Sequence, residues 1–252
     1  MTLSGLVVVV AGASKGIGRA IVLRAAAEGA SVVINYMSDD KGANALVAQI
    51  GSDRAIAVQA DISKTAEIDE LIKATVARFG RIDVLIPNAA YVPESDLRSV
   101  TEEEFDRAFA VNVKGPCFLA KLGATVPKAL PHMPSGSTII FISTDLTDAS
   151  SVPPQFLLYV STKGAMNQMV KVMARDLASA GIRVNAVSPG ATSTESFHKA
   201  MDGARAQIIA SHNPFNRIAE PDEIAAAVSL LWRKDSAWIS GQVLRANGGG
   251  VV

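Results

Sequence analysis

The sequence predicts an α/β fold: a doubly wound parallel sheet of about seven strands with helices on both faces. Short β-branched runs alternate along the chain with longer amphipathic stretches. The runs are apolar throughout rather than alternating, as expected of strands covered on both faces. At 252 residues and 49% hydrophobic content, there is ample material for one core. We expect one domain over 1–252, with no linker, repeat or low-complexity tract.

The elements follow in order. Val7-Val8-Val9-Val10 is the first strand, followed by a helical pattern from Ile17 to Glu28. Ser31 to Asn35 is the second strand, and Asn44 to Ile50 the next helix. Ala55 to Gln59 is a strand; after it Ile68, Leu71, Ile72, Val76 and Phe79 fall on one helical face. Asp83 to Ile86 is a strand, and Thr101-x-x-Glu104 is a capping box that opens a long helix. Thr138 to Ile142 is the fifth strand, and the helix after it runs to about Ala180. Arg183 to Val187 and Val243 to Arg245 complete the sheet. Repeated βα units of this kind imply right-handed crossovers.

Twenty-four basic and twenty-four acidic side chains cancel, so no electrostatic argument favours nucleic acid or an anionic membrane. The single cysteine, Cys117, excludes an internal disulfide, fits a reducing compartment and reads as a small buried hydrophobe. The start at Met1-Thr2 lacks the charged region of a signal peptide, and no apolar stretch reaches membrane-spanning length. A soluble, cytoplasmic protein is expected. The three histidines are too isolated to suggest a metal.

Two motifs carry chemistry. The first strand runs into Gly12-Ala13-Ser14-Lys15-Gly16-Ile17-Gly18. A glycine turn between strand and helix lets backbone approach a pyrophosphate, and the helix N-terminus supplies donors. The second motif is Tyr159-Val-Ser-Thr-Lys163, which places a phenol and an ammonium four residues apart on one helical face. A cation held there favours tyrosinate.

With these motifs in place, the chain resembles the classical short-chain dehydrogenases/reductases along nearly its whole length. The matching pieces are Gly12 to Gly18, Asp61, Asn88-Ala89, Asn112, Ser143-Thr144, Tyr159 with Lys163, and Pro189-Gly190 followed by Thr194. The resemblance implies a Rossmann-type domain, a nicotinamide cofactor and hydride transfer at a carbonyl or carbinol carbon. Gly12, Ser14, Lys15, Gly16, Ile17 and Gly18 would line the phosphates and ribose. Asp61, with Ile62 beside it, would bond the adenine amino group; its other reading is a helix cap ahead of Ser63-Lys64. Asn88, Ala89 and Ala90 would pass the adenosine ribose, and Pro189, Gly190, Thr192 and Thr194 would hold the carboxamide. NADP(H) is favoured over NAD(H). The second strand ends Asn35-Tyr36-Met37-Ser38 without an acid, Ser38 can donate to a 2′-phosphate, and Lys15 can pair with it; Asp39 and Asp40 come two or three residues late.

By the same resemblance Tyr159 is the proton donor, Lys163 also bonds the nicotinamide ribose, and Asn112 anchors a relay water to Lys163. The usual serine thirteen residues before the tyrosine would be Leu146. Aligning the strand instead selects Thr144, with Ser143 the alternative and a two-residue insertion through Pro153-Pro154. Asn247 stands where the family more often has aspartate.

A substrate flap is expected at about 191–219, with Phe197, His198, Met201, Ile208, Ile209, His212 and Phe215 as lining or as core packing. Tyr91 and Gln155 would face the substrate. The expected activity is reduction of a hydrophobic ketone, aromatic or polyketide-like, to an alcohol. The alternatives are a protein that binds NADP(H) with little turnover, and an enzyme of dehydration or isomerisation. A homotetramer is implied, with Val160, Met166, Met169 and Met173 as interface candidates.

Overall fold

The computed structural model describes residues 3–124 and 132–252; the N-terminal Met1-Thr2 reading lies outside them. Seven parallel strands form one sheet: β1 (Val7–Val10), β2 (Ser31–Tyr36), β3 (Ala55–Gln59), β4 (Val84–Ile86), β5 (Thr138–Ile142), β6 (Arg183–Pro189) and β7 (Val243–Ala246). Their order is β3-β2-β1-β4-β5-β6-β7, and every pairing is parallel. The order reverses between β1 and β4, and crevices open at the strands' carboxyl ends at such a switch point.

Two cores flank the sheet. On one face Val8, Val10, Val32 and Ile34 pack against α1 (Gly16–Ala27), α2 (Asp40–Ile50) and α9 (Pro221–Trp232). On the other, Val9, Leu85, Ile139 and Phe141 pack against α3 (Thr65–Phe79), α5 (Gly115–Ala124) and α6 (Leu157–Asp176). Consecutive valines of β1 therefore go to opposite cores. The unbroken apolar run is what two covered faces demand.

Several boundaries differ from the sequence expectation for local reasons. α2 starts at Asp40 rather than Asn44, because Asp39 caps it through the Gly42 N–H at 3.1 Å. The helix opened by Thr101 is two helices, α4 (Glu102–Phe109) and α5, joined by a π-helical turn over Ala110–Lys114. α6 ends at Asp176, and a 3₁₀ turn covers Ala178–Ala180. Met166 is fully buried, and Met169 and Met173 pack partly against the same core, so most of that stripe is core and not free interface. Cys117 is half-buried rather than buried. Among the described residues no helix is long and apolar enough to cross a membrane.

Candidate active site

The glycine turn lies at the carboxyl end of β1. Gly12 has φ +64°, and a Cβ there would come within 2.8 Å of Ala89. A Cβ on Gly18 would strike the Gly12 carbonyl and the Asn88 amide. The loop after β4 is thus pressed onto the turn, and the Asn88 amide donates to the Ala11 and Gly12 carbonyls at 2.9 Å each. Asn35 acts from the other side: its Oδ1 accepts from the Gly12 N–H at 3.2 Å, and its Nδ2 donates to the Ala60 carbonyl at 3.0 Å.

These bonds correct one expectation, that for Asn35. Asn35 is 1% exposed and committed to backbone, so it clamps the turn and is not free to meet a ribose phosphate. Asn88 likewise spends its amide on the turn. Asp61 accepts from the Ser63 N–H at 2.9 Å in the loop before α3, whose N-cap is Lys64. Ser38 and Lys15 are exposed beside the turn, while Tyr36 is half-buried. Asp39, set aside in the sequence as too late, comes back to the turn. The Gly42 N–H, the Ser14 hydroxyl and nearby Lys15 hold its carboxyl below the usual range.

A dinucleotide fits these residues. Lys15 at the N-cap of α1 makes no side-chain cap bond and the first turn has no acid of its own, while Glu195 approaches Gly16 from α7. Two buried hydroxyls, Ser143 Oγ and Ser188 Oγ at the carboxyl ends of β5 and β6, have no partner among the described residues.

The tyrosine region follows β5. Thr144 is close enough to the Tyr159 phenol to favour its ionised form, whereas Ser143 sits 3% exposed without a partner among the described residues. Lys163 Nζ, 1% exposed, donates to the Ile142 carbonyl at 2.6 Å and lies 5.7 Å from the Tyr159 ring centroid. Burial drives both groups toward neutrality. The Lys163 ammonium falls to about 7. The Tyr159 phenol rises to about 12 through burial, with the Asp145 charge adding to the rise and Thr144 opposing it. The sequence expectation was a phenol acidified by Lys163 together with the oxidised nicotinamide; burial of the two side chains acts in the opposite sense on both. The Tyr159 residue as a whole is half-buried.

Asn112 is fully buried in the π turn. Its amide brackets Tyr91, accepting from the N–H at 2.8 Å and donating to the carbonyl at 2.7 Å, and donates to the Thr162 hydroxyl at 3.0 Å. A π turn is rare and frequently marks a functional site. Here it aims one polar side chain at the loop after β4 and at α6 together.

The two regions are joined by contact. A Cβ on Gly16 would lie 3.3 Å from Thr194, and one on Gly190 would lie 3.3 Å from Asp145 Oδ2. Thr192 donates to the Gly190 carbonyl at 2.9 Å, and Thr194 caps α7 (Glu195–Ala200) at 3.1 Å. Pro189 is buried at the end of β6, Gly190 is half-buried, and Ile62 is 5% exposed beneath Gly115. Ala90 is exposed at the mouth. α7 and α8 (Gly203–Ser211) bury no residue, so Phe197, Met201, Ile208 and Ile209 do not anchor a core. Phe215 is 70% exposed. The sequence passed over one pairing: Asn247 Nδ2 donates to Asp145 Oδ2 at 3.3 Å across 102 positions, and no local signal announces it.

A family model described as enoyl-(acyl carrier protein) reductase matches residues 12–250. An uncharacterized oxidoreductase of Methylorubrum extorquens is 42% identical over 251 residues, 98% of each chain. The chain belongs to the short-chain dehydrogenase/reductase family. Solved structures agree over the full length. A short-chain dehydrogenase of Burkholderia cenocepacia in complex with NADP superposes with TM-score 0.91 at 30% identity, covering 99% of each chain. The angucycline C-6 ketoreductase LanV with bound NADP gives TM-score 0.88 at 34% identity, covering 99% of this chain and 96% of that one. Family membership makes the protein an oxidoreductase.

Proposed function

We propose that the protein is an NADPH-dependent reductase that converts a hydrophobic ketone, aromatic or polyketide-like, to the alcohol, with Tyr159 as proton donor. The observation that carries this reading is the buried Lys163, which donates to the Ile142 carbonyl at 2.6 Å and lies 5.7 Å from the Tyr159 ring centroid, in a region linked by contact to the glycine turn. The NADP bound by two similar structures supports the cofactor, and exposed Lys15 and Ser38 supply a cation and a donor for its 2′-phosphate. Asp39 adds an anion there, offset by Ser14, Gly42 and Lys15.

Bound NADPH supplies the hydride to the carbonyl carbon. The chain supplies the rest. A phenol held protonated is the right state for donating a proton to the developing alkoxide. Thr144 donates a hydrogen bond toward the same oxygen and limits its drift. Lys163 orients the ribose side of the site, and Asn112 fixes α6 against the loop at Tyr91. The segment 191–219 covers the substrate as a flap of the same domain, and its exposed Ile208 and Phe215 suit an apolar ring system. The ketoreductase likeness supports that substrate class. The family resemblance adds a cytoplasmic homotetramer, which light scattering checks.

The test is consumption of NADPH, then NADH, with a panel of fused-ring ketones and quinones. Turnover with NADPH that Tyr159→Phe abolishes supports the reading. Tight NADPH binding without turnover across the panel overturns it in favour of a cofactor-binding protein.

A further inference from the structure

Helix α6 carries Tyr159, Lys163 and Asn167 at intervals of four residues, along one helical face. The first two serve the reaction just described; the third has no part in it. Yet Lys163 and Asn167 both reach the chain that follows β5. Lys163 Nζ donates to the Ile142 carbonyl at 2.6 Å, and Asn167 Nδ2 donates to the Thr147 hydroxyl at 3.0 Å. Thr144 lies between those two anchor points.

The 3₁₀ turn Asp145–Thr147 passes the second bond on. Thr147 grips the Thr144 carbonyl twice, through its hydroxyl at 2.9 Å and its N–H at 3.3 Å. The Thr144 hydroxyl accepts from the Leu146 N–H at 3.5 Å, which leaves its own proton for another partner. The direction of this chain is fixed. Thr147 has one hydroxyl proton, spent on the Thr144 carbonyl, so it can only accept from α6. An amide at 167 supplies that donor, and an ionised carboxylate could not. The covalent route gives no such control. Thr144 and Tyr159 are fifteen residues apart, and residues 148–156 run between them without helix or strand and mostly exposed.

We propose that Asn167 is a positioning residue for the reduction: through Thr147 it ties the turn after β5 to the helix that carries Tyr159 and Lys163, and so sets where the Thr144 hydroxyl stands. This rests on the reading of Thr144 and Tyr159 as the groups that meet the substrate oxygen. A hydroxyl misplaced by about 1 Å can cost about 10²-fold in rate, so a remote tie has kinetic weight.

Two variants cut the tie from opposite sides. Asn167→Leu removes the donor at similar size, and Thr147→Val removes the hydroxyl at similar size. Each should lower kcat for ketone reduction by about 10-fold while the NADPH dissociation constant stays within about 2-fold. The double variant should be no slower than either single one, because both break the same chain; independent packing losses would multiply. Thr147→Ser keeps the hydroxyl and should restore kcat. Hydrogen exchange read by mass spectrometry over residues 143–148 needs neither ketone nor turnover. It should be faster in Asn167→Leu and Thr147→Val and at the wild-type rate in Thr147→Ser. If Asn167→Leu does not fold, Thr147→Val against Thr147→Ser carries the same test. Wild-type kcat in both single variants, losses that multiply in the double, or unchanged exchange overturns the proposal. Failure of the wild-type protein to reduce any ketone refutes the donor reading instead, and the exchange rates then decide whether Asn167 holds the turn.

Discussion

The glycine turn and the tyrosine region sit at the same edge of the sheet but are held by different chemistry. Around Gly12 the clamps are neutral amides: Asn35 and Asn88 hold backbone, and glycines make room for backbone. Around Tyr159 the supports are buried ionisable groups, Lys163 and Asp145, each displaced by burial from its ordinary pKa. An amide clamp works equally at any pH. A buried lysine and a buried acid do not. The glycine turn is therefore built for a geometry constant with pH, and the tyrosine region for one that responds to it.

The comparison breaks if the two regions respond alike to substitution. The largest separation is expected from Tyr159→Phe, which should lower turnover by about 10³-fold while leaving the NADPH dissociation constant within about 2-fold, because a general acid contributes 10²–10⁴. Titration calorimetry beside steady-state kinetics checks it. Gly18→Ala should do the opposite. Its methyl meets the Gly12 carbonyl and Asn88, so cofactor affinity should fall about 10- to 100-fold and the fold should lose about 1–3 kcal/mol. Denaturant unfolding and NADPH titration read both.

Lys163 gives a pH signature. Its folded pKa of about 7 lies below the 10.5 of the free side chain. The unfolded chain therefore binds the extra proton between those values, and wild-type stability should rise with pH across that window. The penalty is present in full below about pH 7 and gone above about 10.5. Lys163→Met should lose turnover yet unfold at a temperature several degrees higher near neutrality, and its melting curve should lack the alkaline rise. A smaller effect is expected at the turn: Lys15→Ala should lower kcat/KM for NADPH about 10-fold more than for NADH, one ion pair's worth of preference. Smallest of all, Phe215→Ala should leave stability within about 0.5 kcal/mol, being 70% exposed, and raise the ketone KM a few-fold.

The sheet was legible because each strand is an apolar run; β5 is found at Thr138–Ile142, the very range read from the sequence. The glycine turn and the tyrosine–lysine pair were legible because spacing alone carries them. Roles were harder. Asn35 and Asn88 have the chemistry of ligand contacts and of backbone clamps, and only the backbone bonds they make in the fold reveal the second role. The break in the Thr101 helix was invisible, because a buried asparagine kinks it only when Tyr91 offers both backbone groups to Asn112. The effect of burial on Tyr159 and Lys163 was not legible in their spacing, because it depends on how the strands and α6 close around them. Asp145 and Asn247 meet across 102 positions, a distance at which sequence patterns carry no pairing information.

The central claim is that a protonated Tyr159 completes hydride transfer from NADPH to a ketone. The most direct test is stopped-flow single turnover of NADPH with an accepted ketone, comparing wild type with Tyr159→Phe at saturating cofactor. The account predicts a nicotinamide absorbance decay slowed about 10³-fold with unchanged cofactor affinity. An equally fast decay in the variant, or a loss traced wholly to weaker NADPH binding, would contradict it.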